Sequence, residues 1–466
     1  MSGHGNRNSR VPSVGLASLP NIAYIDAMAV ITPRTTTTAG PTSTNQSALA
    51  MVTTLFFMWG FVTVLNDILI PHLKAIFDLN YAEVMLIQFA FFSSYFVFSF
   101  PAGKLVDWIG YKRAMVAGLC TMGSGALLFI AGASVPSFPL FLTALIIVAA
   151  GMTVLQVSAN PYVTVLGPPE TASSRLNLAQ AFNSLGTTVG PWFGKILILT
   201  TTAVTVAEIR AMPPEELHAY RLQEAASVKL PYLGIGLVLF AFAIAMALFK
   251  LPKIAGVESK LPPELAGISI WRYRRVVLGA MGIFTYVGAE VAIGSVLVNY
   301  LALPEIAGMP LKTAGGYLSY YWGGLMVGRF IGSALLQKIR TATLLGICAA
   351  VASALVVISM LTSGHVAMWS IIAVGLFNSI GFPSIFALGI EGLGPMTGKA
   401  SGLLIAGIVG GAIIPELTGL LADHIGIHHA FFLPAICYVY IVYFAIFCRR
   451  ITASPQDVLI PAEPVP

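Results

Sequence analysis

The sequence predicts an all-α membrane protein with twelve transmembrane helices in two pseudo-symmetric halves of six. Three observations carry that expectation. Hydrophobic residues make up 57% of the 466-residue chain and charged residues 9%, with a mean hydropathy of +0.85. A soluble domain carries about 25% charge, so a chain this apolar needs lipid as its main solvent. Twelve apolar runs, each long enough to span a bilayer, follow one another from residue 49 to residue 448. They are rich in glycine and do not alternate, which fits helices and not the strands of a barrel. Lys and Arg, finally, gather on one side of the runs.

In chain order, residues 1–47 are rich in Ser, Thr, Pro, Asn and Gly and are expected to form a disordered cytoplasmic tail. They lack the basic start, apolar middle and cleavage site of a signal peptide. The first half, 48–250, holds runs at 49–75, 82–106, 112–133, 138–166, 173–200 and 231–250. A cytoplasmic linker at 251–274, with Pro252, Pro262 and Pro263, leads to the second half, 275–449. Its runs are 275–302, 312–337, 341–362, 366–390, 400–422 and 429–448, and a tail, 450–466, closes the chain. With both termini cytoplasmic, eighteen Lys and Arg face the cytoplasm. Six face outward (Lys74, Lys195, Arg210, Arg221, Lys229 and Lys312), and Arg329 sits near a helix end. That asymmetry sets the orientation. The halves also repeat. Pro161 in the fourth run falls on Pro383 in the tenth at an offset of 222, where Gln156 meets Asn378. At an offset of 224, Arg175, Gly186 and Pro191 of the fifth run meet Lys399, Gly410 and Pro415 of the eleventh. Two such halves facing one cavity are a design for transport by alternating access.

The net charge of +6 comes from short basic clusters and makes no basic face, which argues against a nucleic-acid partner. Cys120, Cys348, Cys437 and Cys448 lie in or at the end of apolar runs without metal-site spacing, so they read as packing residues. The seven histidines sit in the tail or near helix ends, and none pairs with a deep carboxylate; an enzyme is not expected, nor a metal or other cofactor.

Chemistry concentrates at five places. Between runs two and three, "GKLVDWIGYKR" sets Gly103, Asp107, Gly110, Lys112 and Arg113 in the spacing of a gating loop. The glycines allow close approach of helix ends, and Asp107 can take cationic or helix-end partners. In run one, "FFMWGFVTVLNDILIPHLK" places Asn66 and Asp67 inside an apolar helix. A carboxylate at that depth is costly unless protonated, paired or facing water, so Asp67 is a proton-coupling candidate. Pairing near the outer end is the alternative. In run four, Gln156 and Asn160 share a helix face, and in run five so do Asn177, Gln180 and Asn183. Lipid-facing amides would be unsatisfied, so both stripes point inward, either to bind a neutral polyol such as a sugar or to join helices. No helix centre offers a cation for an anionic cargo. Trp59, Phe91, Tyr95, Tyr286, Tyr320, Tyr321 and Trp322 are candidates for stacking on a sugar.

The loop resembles the signature loop of the major facilitator superfamily. "LNDILIP", "ANPYVTVLGP" and "RLNLAQAFNSLG" together resemble the fucose–galactose–glucose:proton symporter family within it, and the resemblance runs over essentially all twelve runs. It implies the major facilitator fold, Asp67 as coupling acid, and Gln180 and Asn183 as sugar contacts. One departure matters. Where fucose permeases place a glutamate this chain has Gln156, while an acid, Glu290, stands in the seventh run, "FTYVGAEVAIGSVLVNYL". That arrangement is similar to the glucose/galactose permease branch. Glu290 is therefore expected to bind sugar hydroxyls or share the proton, the alternative being an acid paired across the bundle. Asn378, Gln156's partner in the repeat, joins the sugar-binding candidates. The expected protein is a monomeric hexose symporter of the bacterial inner membrane that imports glucose or galactose with a proton. Sodium coupling, L-fucose as cargo, and a non-transporting sensor are the competing readings.

Overall fold

The computed structural model describes residues 43–77, 81–134, 137–197, 212–217, 220, 229–252 and 267–451; the side chains of 65–86, 88, 192–197 and 451 lie outside the described residues. So do most of both expected tails and the middle of the expected linker.

Twelve helical runs cross the described chain. In the first half they are α1 (Gln46–Phe77), α2 (Tyr81–Ile109), α3 (Tyr111–Ser134), α4 (Phe138–Val165), α5 (Ala172–Leu197) and α6 (Lys229–Leu248). In the second they are α7 (Arg274–Ala302), α8 (Leu311–Leu335), α9 (Thr341–Leu361), α10 (Gly364–Asn378 and Gly381–Ile390), α11 (Thr397–Ala406, a 3-10 turn Gly407–Val409, then Gly410–Ile425) and α12 (Phe432–Ile451). Ten of these are apolar enough to cross a membrane on length and composition alone. The two that are not, α5 and α8, correct the expectation of uniformly apolar runs. They carry Ser174, Asn177, Gln180, Asn183 and Ser184 on one side and Arg329 and Ser333 on the other, and they pack against each other. Ser174, Asn177, Gln180, Ser184, Arg329 and Ser333 are buried in that contact, where lipid does not reach them.

Helix contacts repeat between the halves. The pairs α1–α5, α3–α4, α2–α4 and α3–α6 have counterparts in α7–α11, α9–α10, α8–α10 and α9–α12. Glycines make the long crossings possible. A Cβ at Gly186 of α5 would strike the Phe57 carbonyl of α1, and one at Gly410 of α11 would strike the Phe284 carbonyl of α7. The two glycines matched by the sequence offset therefore do one job, close backbone approach, in both halves. The 3-10 turn in α11 lies where Gly407 and Gly410 press on α7, and the break in α10 lies where the Tyr286 ring fills the space of a Cβ at Gly381.

The two halves meet through α2–α11 and α5–α8, again a symmetric pair. The contact is on the side that carries Asp107, Ser174 and Gly398.

Candidate functional site

The second half builds a polar cluster inside its own bundle. Glu290 of α7 accepts a hydrogen bond at Oε2 from Nδ2 of Asn378, the last residue before the α10 break, at 3.0 Å. The Tyr321 hydroxyl of α8 donates to the main-chain carbonyl of Glu290 at 3.1 Å. Tyr286, one turn before Glu290 and fully buried, has its hydroxyl near the carboxylate but off hydrogen-bonding geometry. Tyr438 of α12, also buried, adds a second hydroxyl without a partner, and Asn378 Oδ1 is a third unmet polar atom. A buried polar group left unpaired costs about 1–3 kcal/mol. The cluster is thus provisioned with more hydrogen-bonding capacity than the protein itself uses.

The first half presents amides. Gln156, Asn160 and Gln180 are all buried, and Gln180 Nε2 donates to Asn160 Oδ1 at 3.4 Å, leaving Asn160 Nδ2 unmet. Asn183 Nδ2 donates to the Phe56 carbonyl at 3.0 Å and ties α5 to α1. Asn177 Nδ2 donates to the Arg329 carbonyl at 2.6 Å and ties α5 to α8. These two amides are committed to neighbouring helices, whereas Gln156 and the Gln180–Asn160 pair lie among buried groups with capacity to spare.

Arg329 joins the two clusters. Sequence reading put it near a helix end and found no cation at a helix centre. The structure keeps it in the last third of α8, six residues from the helix end, but buries it at 7% exposure. Its Nη1 donates to the Gln180 carbonyl at 3.1 Å and to the Ser184 hydroxyl, and its Nε to the Ser379 carbonyl at 3.4 Å. The guanidinium is also within electrostatic reach of Glu290. Committed to protein oxygens, it serves as a link between halves. Nearby, the Ser174 and Ser333 hydroxyls each donate to the other's main-chain carbonyl, at 2.6 and 3.0 Å, and Thr341 Oγ1 donates to Ser173 Oγ at 2.9 Å. Asn177 here takes the helix-joining alternative that the sequence offers, whereas Ser174, Ser184 and Ser333 stand out only in the structure. The signal for the two serines of α5 was their spacing, which shares a face with Asn177 and Gln180.

The α2–α11 contact is built from small residues. Gly103 sits against the Gly398 carbonyl, where an added Cβ would stand 3.0 Å away, and a Cβ at Gly402 would come within 2.8 Å of the Ser99 carbonyl. Asp107 Oδ1 lies against Gly398 in the first turn of α11, with Lys399 beside it, which sets a carboxylate near the positive end of a helix from the other half. Gly110 does a different job from the close approach expected of it. It has φ +79 with open space around it and stops α2 as a left-handed turn. Lys112 Nζ donates to the Ala247 carbonyl at 2.7 Å, near the end of α6 in its own half, and Arg113 is exposed.

Among the aromatic candidates, Trp59 is buried against Phe56, and Tyr95 is buried with its hydroxyl 3.8 Å from Met152 Sδ. Phe91 stacks edge-on against Tyr95. Tyr320 is 60% exposed beside Trp369, and Trp322 is exposed with its ring against Gly294 of α7. Asn66 and Asp67 lie on α1, but their side chains lie outside the described residues. All four cysteines are free.

The chain is similar in sequence and fold to known proteins. A sequence model of the Major Facilitator Superfamily matches residues 49–407. The chain is 53% identical over 399 residues, 86% of its own length and 93% of the relative's, to a glucose/galactose transporter of Brucella abortus biovar 1 (strain 9-941). It is 36% identical over 427 residues, 89% of this chain and 96% of the relative, to the L-fucose-proton symporter of Escherichia coli (strain K12). The crystal structure of FucP, a Major Facilitator Superfamily transporter in the outward conformation, superposes with a TM-score of 0.81 at 35% identity, covering 86% of this chain and 98% of that one. Twelve helices in two repeating halves, joined at α2–α11 and α5–α8, together with these matches, place the chain in the Major Facilitator Superfamily, to which it belongs.

Proposed function

We propose that this protein imports a neutral hexose, of glucose or galactose type, by proton symport with alternating access, as a monomer in the bacterial inner membrane with both termini cytoplasmic. The observation that carries the reading is the pair of buried polar clusters joined by Arg329, amides in one half and Glu290 with Asn378 and Tyr286 in the other. Each has buried donors and acceptors to spare. Sugar hydroxyls donate and accept together, so they suit such a lining. The 53% identity to a glucose/galactose transporter supports the hexose, and the fucose–proton symporter relative supports the proton.

In the proposed cycle Asp67 takes a proton from the outside and Glu290, oriented by Asn378, binds sugar hydroxyls or shares the proton. Gln156, Asn160, Gln180 and Asn66 line the first half, Asn183 fixes α5 on α1 beside them, and Trp59, Tyr95 and Tyr286 are aromatic walls. With the Asp107 side cytoplasmic, the meeting of the halves there makes this a state closed toward the cytoplasm. Neutralising an acid lets the loaded carrier rearrange without dragging a buried charge through lipid. The test is uptake of labelled glucose, galactose, mannose and fucose into proteoliposomes under imposed proton or sodium gradients. Glucose or galactose should accumulate under the proton gradient. Accumulation of none of the four overturns the proposal, and accumulation under sodium alone assigns the other ion.

A further inference from the structure

We infer that the corner where α7 begins and α12 ends is a binding site for an anionic phospholipid headgroup. Trp271, on the 3-10 turn Ile270–Arg272 leading into α7, is 56% exposed, and Arg272 and Arg274 are exposed beside it. The Arg274 guanidinium lies 5.4 Å from the centroid of the Phe447 ring of α12, which holds it in place on the helix surface. Arg275 is close enough to Cys448 to act on it electrostatically, so consecutive arginines of α7 meet consecutive residues of α12. The last turn of α12 then adds Arg449 and Arg450, both exposed.

Among the described residues, one acid stands in this corner. Glu391 is paired with Arg275 at 3.1 Å and is not available to the others. Arg275 Nε is buried with no acceptor, an unmet donor in the same place. The positive-inside bias explains charge near a helix end, but not this concentration. The equivalent ends in the first half, the start of α1 at Asn45–Gln46 and the end of α6 at Phe249–Lys250, carry a single cation between them. Guanidinium groups take phosphate oxygens two at a time, and an exposed tryptophan sits well at headgroup depth. The chemistry recognised is a phosphodiester. Its position at the rim of membrane-spanning helices, with Trp271 beside it, selects a lipid over a free phosphate.

The test uses the full chain in detergent, with dioleoylphosphatidylglycerol as probe. Phosphatidylcholine is the neutral control and glycerol 3-phosphate the soluble one. Phosphatidylglycerol should be retained in native mass spectra and should raise the melting temperature, whereas neither control should. Replacing Arg272, Arg274, Arg449 and Arg450 with Gln should weaken retention at least about tenfold. Should that variant not fold, the Arg449→Gln/Arg450→Gln pair, away from the stacked arginine, should still weaken it. Equal retention of both lipids by the wild type, unchanged preference in a folded variant, or equal protection by glycerol 3-phosphate would each overturn the assignment.

Discussion

Glu290 is the acid around which the second half arranges Asn378 and Tyr321. The sequence marks it as an acid at depth in a chain that has Gln156 where fucose permeases place a glutamate, either binding sugar or sharing the proton, or paired across the bundle. The structure gives it Asn378 as an orienting donor and the buried Tyr286 and Tyr438 hydroxyls as neighbours. Replacing Glu290 with Gln keeps the shape but exchanges an acceptor oxygen for a donor. If the carboxylate holds sugar hydroxyls, the apparent KM for galactose should rise about tenfold or more, as hydrogen bonds to charged groups contribute about 1.5–3 kcal/mol. Unchanged uptake would mean that the acid is structural. Asp67→Asn should separate two properties: sugar exchange across the membrane continues, while uphill accumulation disappears. Normal concentrative uptake by that variant would remove Asp67 from the coupling step. Arg329 shows where sequence reading fell short. A single arginine nine residues before Lys338 reads as part of the basic belt, and only the packing of α8 on α5 shows that it is buried.

At the scale of helices, the two contacts that close the Asp107 side use opposite chemistry. The α5–α8 seam is polar, with Arg329, Asn177 and the Ser174–Ser333 pair reaching across. Between α2 and α11 the seam is steric, with Gly103, Gly398 and Gly402 letting backbones touch. Both must come apart in each cycle, so each should hold only a modest share of the closed state. Hydrogen bonds inside membrane bundles contribute about 0.6 kcal/mol each on average. Removing the two that Arg329 makes to α5, by Arg329→Met, should weaken closure by about 1–2 kcal/mol, a five- to thirtyfold shift in population. A cysteine placed at Ser174 should then react faster with a soluble maleimide, and an unchanged rate would show that Arg329 is no latch. Gly402→Ala should do the same from the other seam, because its Cβ would meet a main-chain oxygen that cannot easily move. The helices were readable from hydropathy because lipid enforces it on ten of them. In α5 and α8 the hydropathy signal weakens because their polar side chains are buried in the contact between the two helices, and the interruptions of α10 and α11 depend on contacts with Tyr286 and α7 that no local pattern records.

For the whole molecule, the repeat was legible as two offsets carried by a few prolines and glycines, and Gly186 with Gly410 shows why those positions match. What the offsets did not reveal is how the two polar clusters meet. That depends on α8 bringing Arg329 between Gln180 and Glu290, a juxtaposition set by the docking of the halves. An amide-lined half facing an acid-bearing half, latched on one side, can bind a neutral sugar, load a proton and alternate. The central claim is that sugar and proton move together, and a pH electrode tests it directly. Galactose or glucose added to a lightly buffered suspension of energy-depleted cells containing the protein should make the medium more alkaline, and a protonophore should abolish the change. Entry of labelled sugar without any such alkaline shift would contradict the account.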